Sequence, residues 1–221
     1  MTSLSDVGSA GAVFVVIISA FGLIASPLAE LLIAKFLPRV GPPPGTLARV
    51  TTAVITATLC AAFAFRFGNG PALPAYVFLI VLGVQLARID VSLHLLPNPL
   101  VLSLLVGGLA FLIATGVSGE RWPDLVRGLA GAAILFVIYL ILALISPAGL
   151  GMGDVKLAAP VGLYLGYLGW DQLLYGGLLG FILNGIVTVF VVARKRGEDP
   201  VEVAHGPSMI GAAVVIGLVF H

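Results

Sequence analysis

The sequence predicts an all-α fold, a polytopic membrane protein with about eight transmembrane helices. Three observations predict it: 60% of the 221 residues are apolar, only 10% are charged, and the mean hydropathy is +1.16. A soluble domain carries about 25% charged residues, and a disordered chain is polar and charge-rich, so both classes are excluded. A helix crosses a bilayer with about 20 apolar residues, so this chain has room for about eight spans joined by short connections.

The spans follow in order. The first apolar run, 11–35, is preceded by Asp6 and by no Lys or Arg. A cleavable secretory signal begins with a positive segment, so this run is expected to remain as an uncleaved helix entering from outside. PRVGPPPG at 38–45 closes it, and a second run, 50–65, ends at FGNGP, 67–71. A third run covers 72–88. The fourth, 99–117, opens at Pro97 and Pro99, where a missing backbone N–H costs a helix little, with Asn98 between them as a cap. SGERWPD, 118–124, separates it from the fifth run, 125–146. The sixth, 155–169, is short and contains Pro160, a kink position. Asp171 precedes the seventh, 172–193, which ends in RKRGEDP, 194–200, and a short eighth run covers 207–220. The connections are too short for a separate folded domain, so residues 1–221 are expected to form a single membrane-embedded helical domain.

Lys and Arg are retained on the cytoplasmic side of a membrane. With eight spans, one face collects Lys35, Arg39, Arg49, Arg88, Lys156, Arg194, Lys195 and Arg196, and the other only Arg66, Arg121 and Arg127. This asymmetry predicts both termini outside and the odd-numbered connections in the cytoplasm. A net charge of +1 lacks the basic stripe that a nucleic-acid partner requires, and membrane lipid is the expected surrounding. The single cysteine, Cys60, permits neither an intramolecular disulfide nor a cysteine-cluster zinc site, and neither metal nor cofactor is expected.

With so few charges, acidic groups near a span stand out. An Asp near the bilayer centre costs ~2.5–3.5 kcal/mol on insertion scales, and such residues are functional by default. Asp6, Glu120, Asp124, Glu198, Asp199 and Glu202 fall in connections or the tail and read as solvated charges. Asp171 reads as a helix cap. Glu30, inside the first span, has Lys35 and Arg39 within reach and reads as structural, in a pairing or snorkelling role. Asp90 and Asp154 remain. Both lie at the same predicted face, at the ends of different helices, so they can converge in a bundle.

Around Asp154, Gly149, Gly151 and Gly153 remove side chains and permit close backbone approach or a tight turn. Lys156 reads first as a cation snorkelling at the membrane edge, and second as a substrate-steering group; Arg88 reads the same way. His94 and His205 have no neighbouring histidine and read as interfacial polar residues. Ser92 and Ser208 lack the His–Asp arrangement of a serine nucleophile.

Asp90, Pro97 and Asn98 form D-x6-PN, and residues 151–157 read GMGDVKL, followed by G-x3-G at Gly162 and Gly166. These motifs resemble the type IV prepilin peptidases, membrane aspartic peptidases of the GxGD kind. The resemblance extends over the third to eighth spans. HGP at His205–Pro207 is similar to a Gly-Pro turn of that family, and GLIASPLAELLIAKFLPR to its first helix. Pro160, and His205 where a Pro-Phe pair is usual, depart from the family pattern. Many bacterial members carry two CxxC pairs that bind zinc after the first helix; the connection at 39–49 has none, so the resemblance is to the shorter members. It does not carry over the N-methyltransferase activity that larger enzymes couple to cleavage.

The resemblance implies an aspartic endopeptidase of the inner membrane in which Asp90 and Asp154 activate water, supported by Gly151, Gly153, Lys156, Pro97 and Asn98. It implies prepilin or pseudopilin precursors as substrates, each with a short basic leader and a hydrophobic helix. Two carboxyls about 3 Å apart cannot both ionise easily, so they would titrate as a coupled pair. Two other readings stand beside it. A proton-coupled transporter would need an inverted repeat and acids near the midplane. A catalytically silent relative would serve as a scaffold.

Overall fold

The computed structural model describes residues 4–119, 121–146, 150–194 and 203–220, without the side chains of 4–10, 118, 119, 192 and 194. Glu120, Gly149, Lys195, Arg196, Glu198, Asp199 and Glu202 lie outside the described residues. Helices joined by short connections make up the described residues: α1 (Leu4–Phe36), a 3-10 turn (Pro38–Val40), α2 (Thr46–Phe67), α3 (Leu73–Leu93), α4 (Asn98–Gly119), α5 (Trp122–Ile145), α6 (Met152–Leu168), α7 (Trp170–Arg194) and α8 (Gly206–Val219). Each predicted apolar run corresponds to one of these α-helices.

Six of them, α1 to α5 and α7, are long and apolar enough to cross a membrane. The other two are the short runs of the sequence. With 17 residues in α6 and 14 in α8, a rise of ~1.5 Å per residue leaves both below the ~30 Å hydrocarbon thickness. Both are also heavily buried in protein, α6 almost continuously from Val155 to Tyr167. Their surroundings are thus mostly other helices of the protein. Pro160 lies inside α6, and the helix continues through it.

The chain divides into two compact units, Met1–Gln85 and Leu86–His221. In the first, α1 and α2 form a helical hairpin that is closely packed at Gly22, where a Cβ would lie 2.8 Å from Cys60 Sγ. Gln85 donates to Ser26 Oγ at 3.1 Å and to the Ser26 carbonyl at 3.2 Å, and all three groups are buried. Phe63, Phe67 and Tyr76 stack with centroids 4.9–5.6 Å apart. Glu30 is 2% exposed and pairs with Arg49 at 3.2 Å. Sequence proximity had pointed to Lys35 and Arg39. The hairpin instead brings the start of α2 beside the end of α1.

In the second unit α6 is the central helix. Gly128 and Gly131 of α5 face Gly162 and Gly166 of α6, and a Cβ on Gly162 would run into the Gly131 carbonyl. Helices that pack at such a distance without a hydrophobic drive depend on small residues. Arg127 of α5 holds the far end of α6, donating at 2.7 Å to the carbonyls of both Gly166 and Tyr167. Asp124 pairs with Arg127 at 2.9 Å and with Arg121 at 2.6 Å. Asp124 is thus part of an ion-pair network, where the sequence suggested only a solvated charge. On the α4 side, Gly108 packs against the Tyr164 ring.

Candidate active site

Asp90 stands in the last turn of α3 and is 5% exposed. The helix ends just beyond it: His94 N–H donates to the Asp90 carbonyl at 2.8 Å, and His94 takes a left-handed φ of 47°. The chain then turns through buried Leu96 and Pro97 into α4, whose first N–H groups donate to the Pro97 carbonyl. Asn98 opens that helix.

Asp154 stands in the first turn of α6. Its Oδ2 accepts from the Gly151 N–H at 3.2 Å, as a carboxylate three residues into a helix can when it reaches back to the chain before it. The second carboxylate is held from elsewhere. Asp90 Oδ2 accepts the Gly206 N–H at 3.0 Å, at the start of α8. Each acid thus accepts from a helix N-terminus, Asp154 from that of its own helix α6 and Asp90 from that of α8, where unpaired N–H groups and the helix dipole favour negative charge. Gly206 has no room for a side chain, since a Cβ there would lie 2.7 Å from Asp90 Oδ2.

The two motifs of the sequence meet at this place. Lys156 Nζ donates to Asn98 Oδ1 at 3.0 Å. Gly153 packs on Leu96, where an added Cβ would lie 3.1 Å from the Leu96 Cβ. Between them lies a cavity of about 580 Å³, lined by Asp90, His94, Asn98, Gly151, Gly153, Asp154 and Lys156, with Asn184 and Thr188 from α7 and His205 before α8. Asp90 and Asp154 are near enough for the charge of one to act on the other. The chemistry available is that of two interacting carboxyls, backed by fixed backbone donors, in a partly enclosed polar cavity. Among the described residues there is no group of three or more His, Cys, Asp or Glu side chains that could hold a metal ion.

Six of the seven residues singled out from the sequence line the cavity, and the seventh, Pro97, is the residue just before α4. His205, read as an interfacial polar residue, is instead 5% exposed, and its Nε2 lies 3.0 Å from Tyr139 Oη. Burial pulls its imidazole down to about 4, so the ring is neutral at physiological pH. Gly206, Asn184, Thr188 and Tyr139 were not singled out as site residues. HGP before the last run was the available signal for Gly206. The polar positions Asn184 and Thr188, one helical turn apart in an otherwise apolar run, were the signal for α7.

The family model of the type IV leader peptidase family matches residues 76–191, just over half of the chain, including both aspartates. The chain belongs to the type IV leader peptidase family. Curated relatives agree. The prepilin leader peptidase/N-methyltransferase of Aeromonas hydrophila is 31% identical over 155 residues, 70% of this chain and 52% of the relative. The protein of the same name from Bacillus subtilis (strain 168) is 37% identical over 116 residues, 51% of this chain and 44% of the relative. That of Dickeya chrysanthemi is 40% identical over 143 residues, covering 62% and 47%. This leader peptidase family member spans about half the length of the curated relatives it matches. No solved structure shows significant similarity to it.

Proposed function

We propose that this chain is a membrane aspartic endopeptidase that removes the leader from prepilin or pseudopilin precursors, using Asp90 and Asp154 as its catalytic pair. The observation that carries the proposal is that carboxylates from separate helices, 64 positions apart in the sequence, line one cavity, each bound to a glycine N–H at a helix start. The family membership supports the substrate class.

In such a pair one carboxyl is ionised and the other protonated. The ionised one takes a proton from water as the water oxygen bonds to the scissile carbonyl carbon. The protonated one gives its proton to the carbonyl oxygen. The tetrahedral intermediate then collapses: the C–N bond breaks as the leaving nitrogen takes the proton held by one carboxyl, and a hydroxyl of the intermediate returns its proton to the other carboxylate, which restores the singly protonated pair. No cofactor enters these steps, and neither aspartate is assigned one fixed role.

Residues 1–221 act in this proposal as one membrane-embedded domain of the inner membrane. The Lys and Arg distribution supports both termini outside and the aspartates near the cytoplasmic face. A precursor's hydrophobic helix would lie in the bilayer beside the protein, and its basic leader would stay inside by the same rule. Lys156, held by Asn98, tethers the α6 start to the α4 start and so fixes Asp154 relative to the turn that follows Asp90.

Co-expression with a leader-bearing precursor tests the proposal, with the mature N-terminus read by mass spectrometry. The wild-type chain is expected to release the leader, and Asp90→Asn and Asp154→Asn are each expected to leave the precursor intact. Normal processing by either variant would remove the pair from the mechanism.

A further inference from the structure

Two side-chain atoms of residues lining the aspartate cavity, Asn184 Oδ1 and His205 Nδ1, are buried and have no hydrogen-bond partner among the described residues. Buried polar atoms are nearly always paired, and one left unpaired in a protein needs an explanation. Two such atoms in the residues of one cavity call for a common one.

The tautomer of His205 follows from Tyr139. The Tyr139 hydroxyl is buried, and His205 Nε2 lies 3.0 Å from it. A phenol in that position is satisfied by donating its proton, and a neutral imidazole has a single acceptor nitrogen. Nε2 is that acceptor, so the ring proton resides on Nδ1. His205 therefore offers an N–H donor, and Asn184 offers a carbonyl acceptor. Both groups are neutral. A donor and an acceptor without charge match the C=O and N–H of an extended peptide backbone, which every precursor shares, and do not match the basic side chains of a leader.

We propose that His205 and Asn184 bind the precursor backbone beside the scissile bond, His205 donating from Nδ1 to a peptide carbonyl and Asn184 accepting from a peptide N–H. The inference rests on the peptidase reading above and assigns the contacts that hold the substrate against the aspartates.

Isosteric replacements separate this role from a structural one. Asn in place of His keeps an amide nitrogen near the Nδ1 position, and Gln keeps a polar group near Nε2, where it can still accept from Tyr139. The full chain is reconstituted in lipid nanodiscs with a synthetic precursor peptide carrying a basic leader and a hydrophobic helix. KM and kcat are measured on the active protein, and Kd on the Asp154→Asn background. His205→Gln is expected to raise KM and Kd about tenfold while kcat falls less than threefold. His205→Asn is expected to recover both constants to within threefold of wild type, and Asn184→Leu to raise both about tenfold. The inference is overturned if His205→Gln binds like wild type, if His205→Asn is as impaired as His205→Gln, if Asn184→Leu has no effect, or if the background protein does not bind the peptide. If the wild-type chain binds the peptide with this variant pattern but never cleaves it, the peptidase reading fails and the backbone contacts stand.

Discussion

Asp90 takes a hydrogen bond from the backbone N–H of Gly206, a residue 116 positions away in the chain, at 3.0 Å. This contact ties the end of α3 to the start of α8 and leaves no space for a side chain at position 206. Gly206→Ala is expected to displace the Asp90 carboxyl and lower kcat/KM by about 100-fold, as an ångström-scale misplacement of a reacting group does. Cleavage kinetics, paired with thermal unfolding in detergent to show a retained fold, check it. Activity within twofold of wild type would contradict the geometry.

The glycine seam between α5 and α6 makes a prediction about stability. A side chain at Gly162 would meet the Gly131 carbonyl, whereas Gly185 on α7 has nothing within 4 Å. Gly162→Val is expected to destabilise the protein by ~1–3 kcal/mol or more, the usual cost of overpacking. Gly185→Ala is expected to leave stability unchanged. Unfolding titrations of both variants in mixed micelles distinguish them.

His205 makes stability depend on pH. Its imidazole falls from an ordinary 6.5 to about 4 on burial, so between those values the unfolded chain binds a proton that the folded chain does not. The stabilisation from keeping the ring neutral is fully present above pH 6.5 and is lost as pH falls towards 4, on the order of 2–3 kcal/mol in all. The difference in unfolding free energy between pH 7 and pH 5 is expected to be larger for wild type than for His205→Gln. Equal differences would show that the ring does not titrate this way.

Topology yields a labelling test. Pro43 and Asn69 are exposed, in the connections after α1 and α2. In a Cys60→Ala background, Asn69→Cys is expected to react with a membrane-impermeant maleimide in intact cells. Pro43→Cys is expected to react only after lysis. The reverse pattern would invert the proposed orientation.

Much of the fold was legible because a membrane protein writes its helices as apolar runs, and all eight runs became helices. The two short runs were legible as well, but their burial was not, since it depends on which helices surround α6 and α8. Asp90 and Asp154 stood out because charge is scarce in such a chain. Their supports were harder to read. Gly206 looks like any turn glycine until the fold brings it to Asp90. Arg49 is 19 residues from Glu30, beyond the range of helix-local pairing. His205 looks interfacial in sequence, and only the packing of Tyr139 against it reveals a buried imidazole.

The central claim is that Asp90 and Asp154 work as a single catalytic unit. The most direct measurement is the cleavage rate of a purified precursor by the reconstituted wild type, Asp90→Asn, Asp154→Asn and the double variant. Each single variant is expected to fall by a factor on the order of 10³ or more, and the double variant no further, because groups that act as a unit are non-additive. A single variant that keeps a tenth of wild-type activity, or losses that multiply in the double variant, would contradict the account.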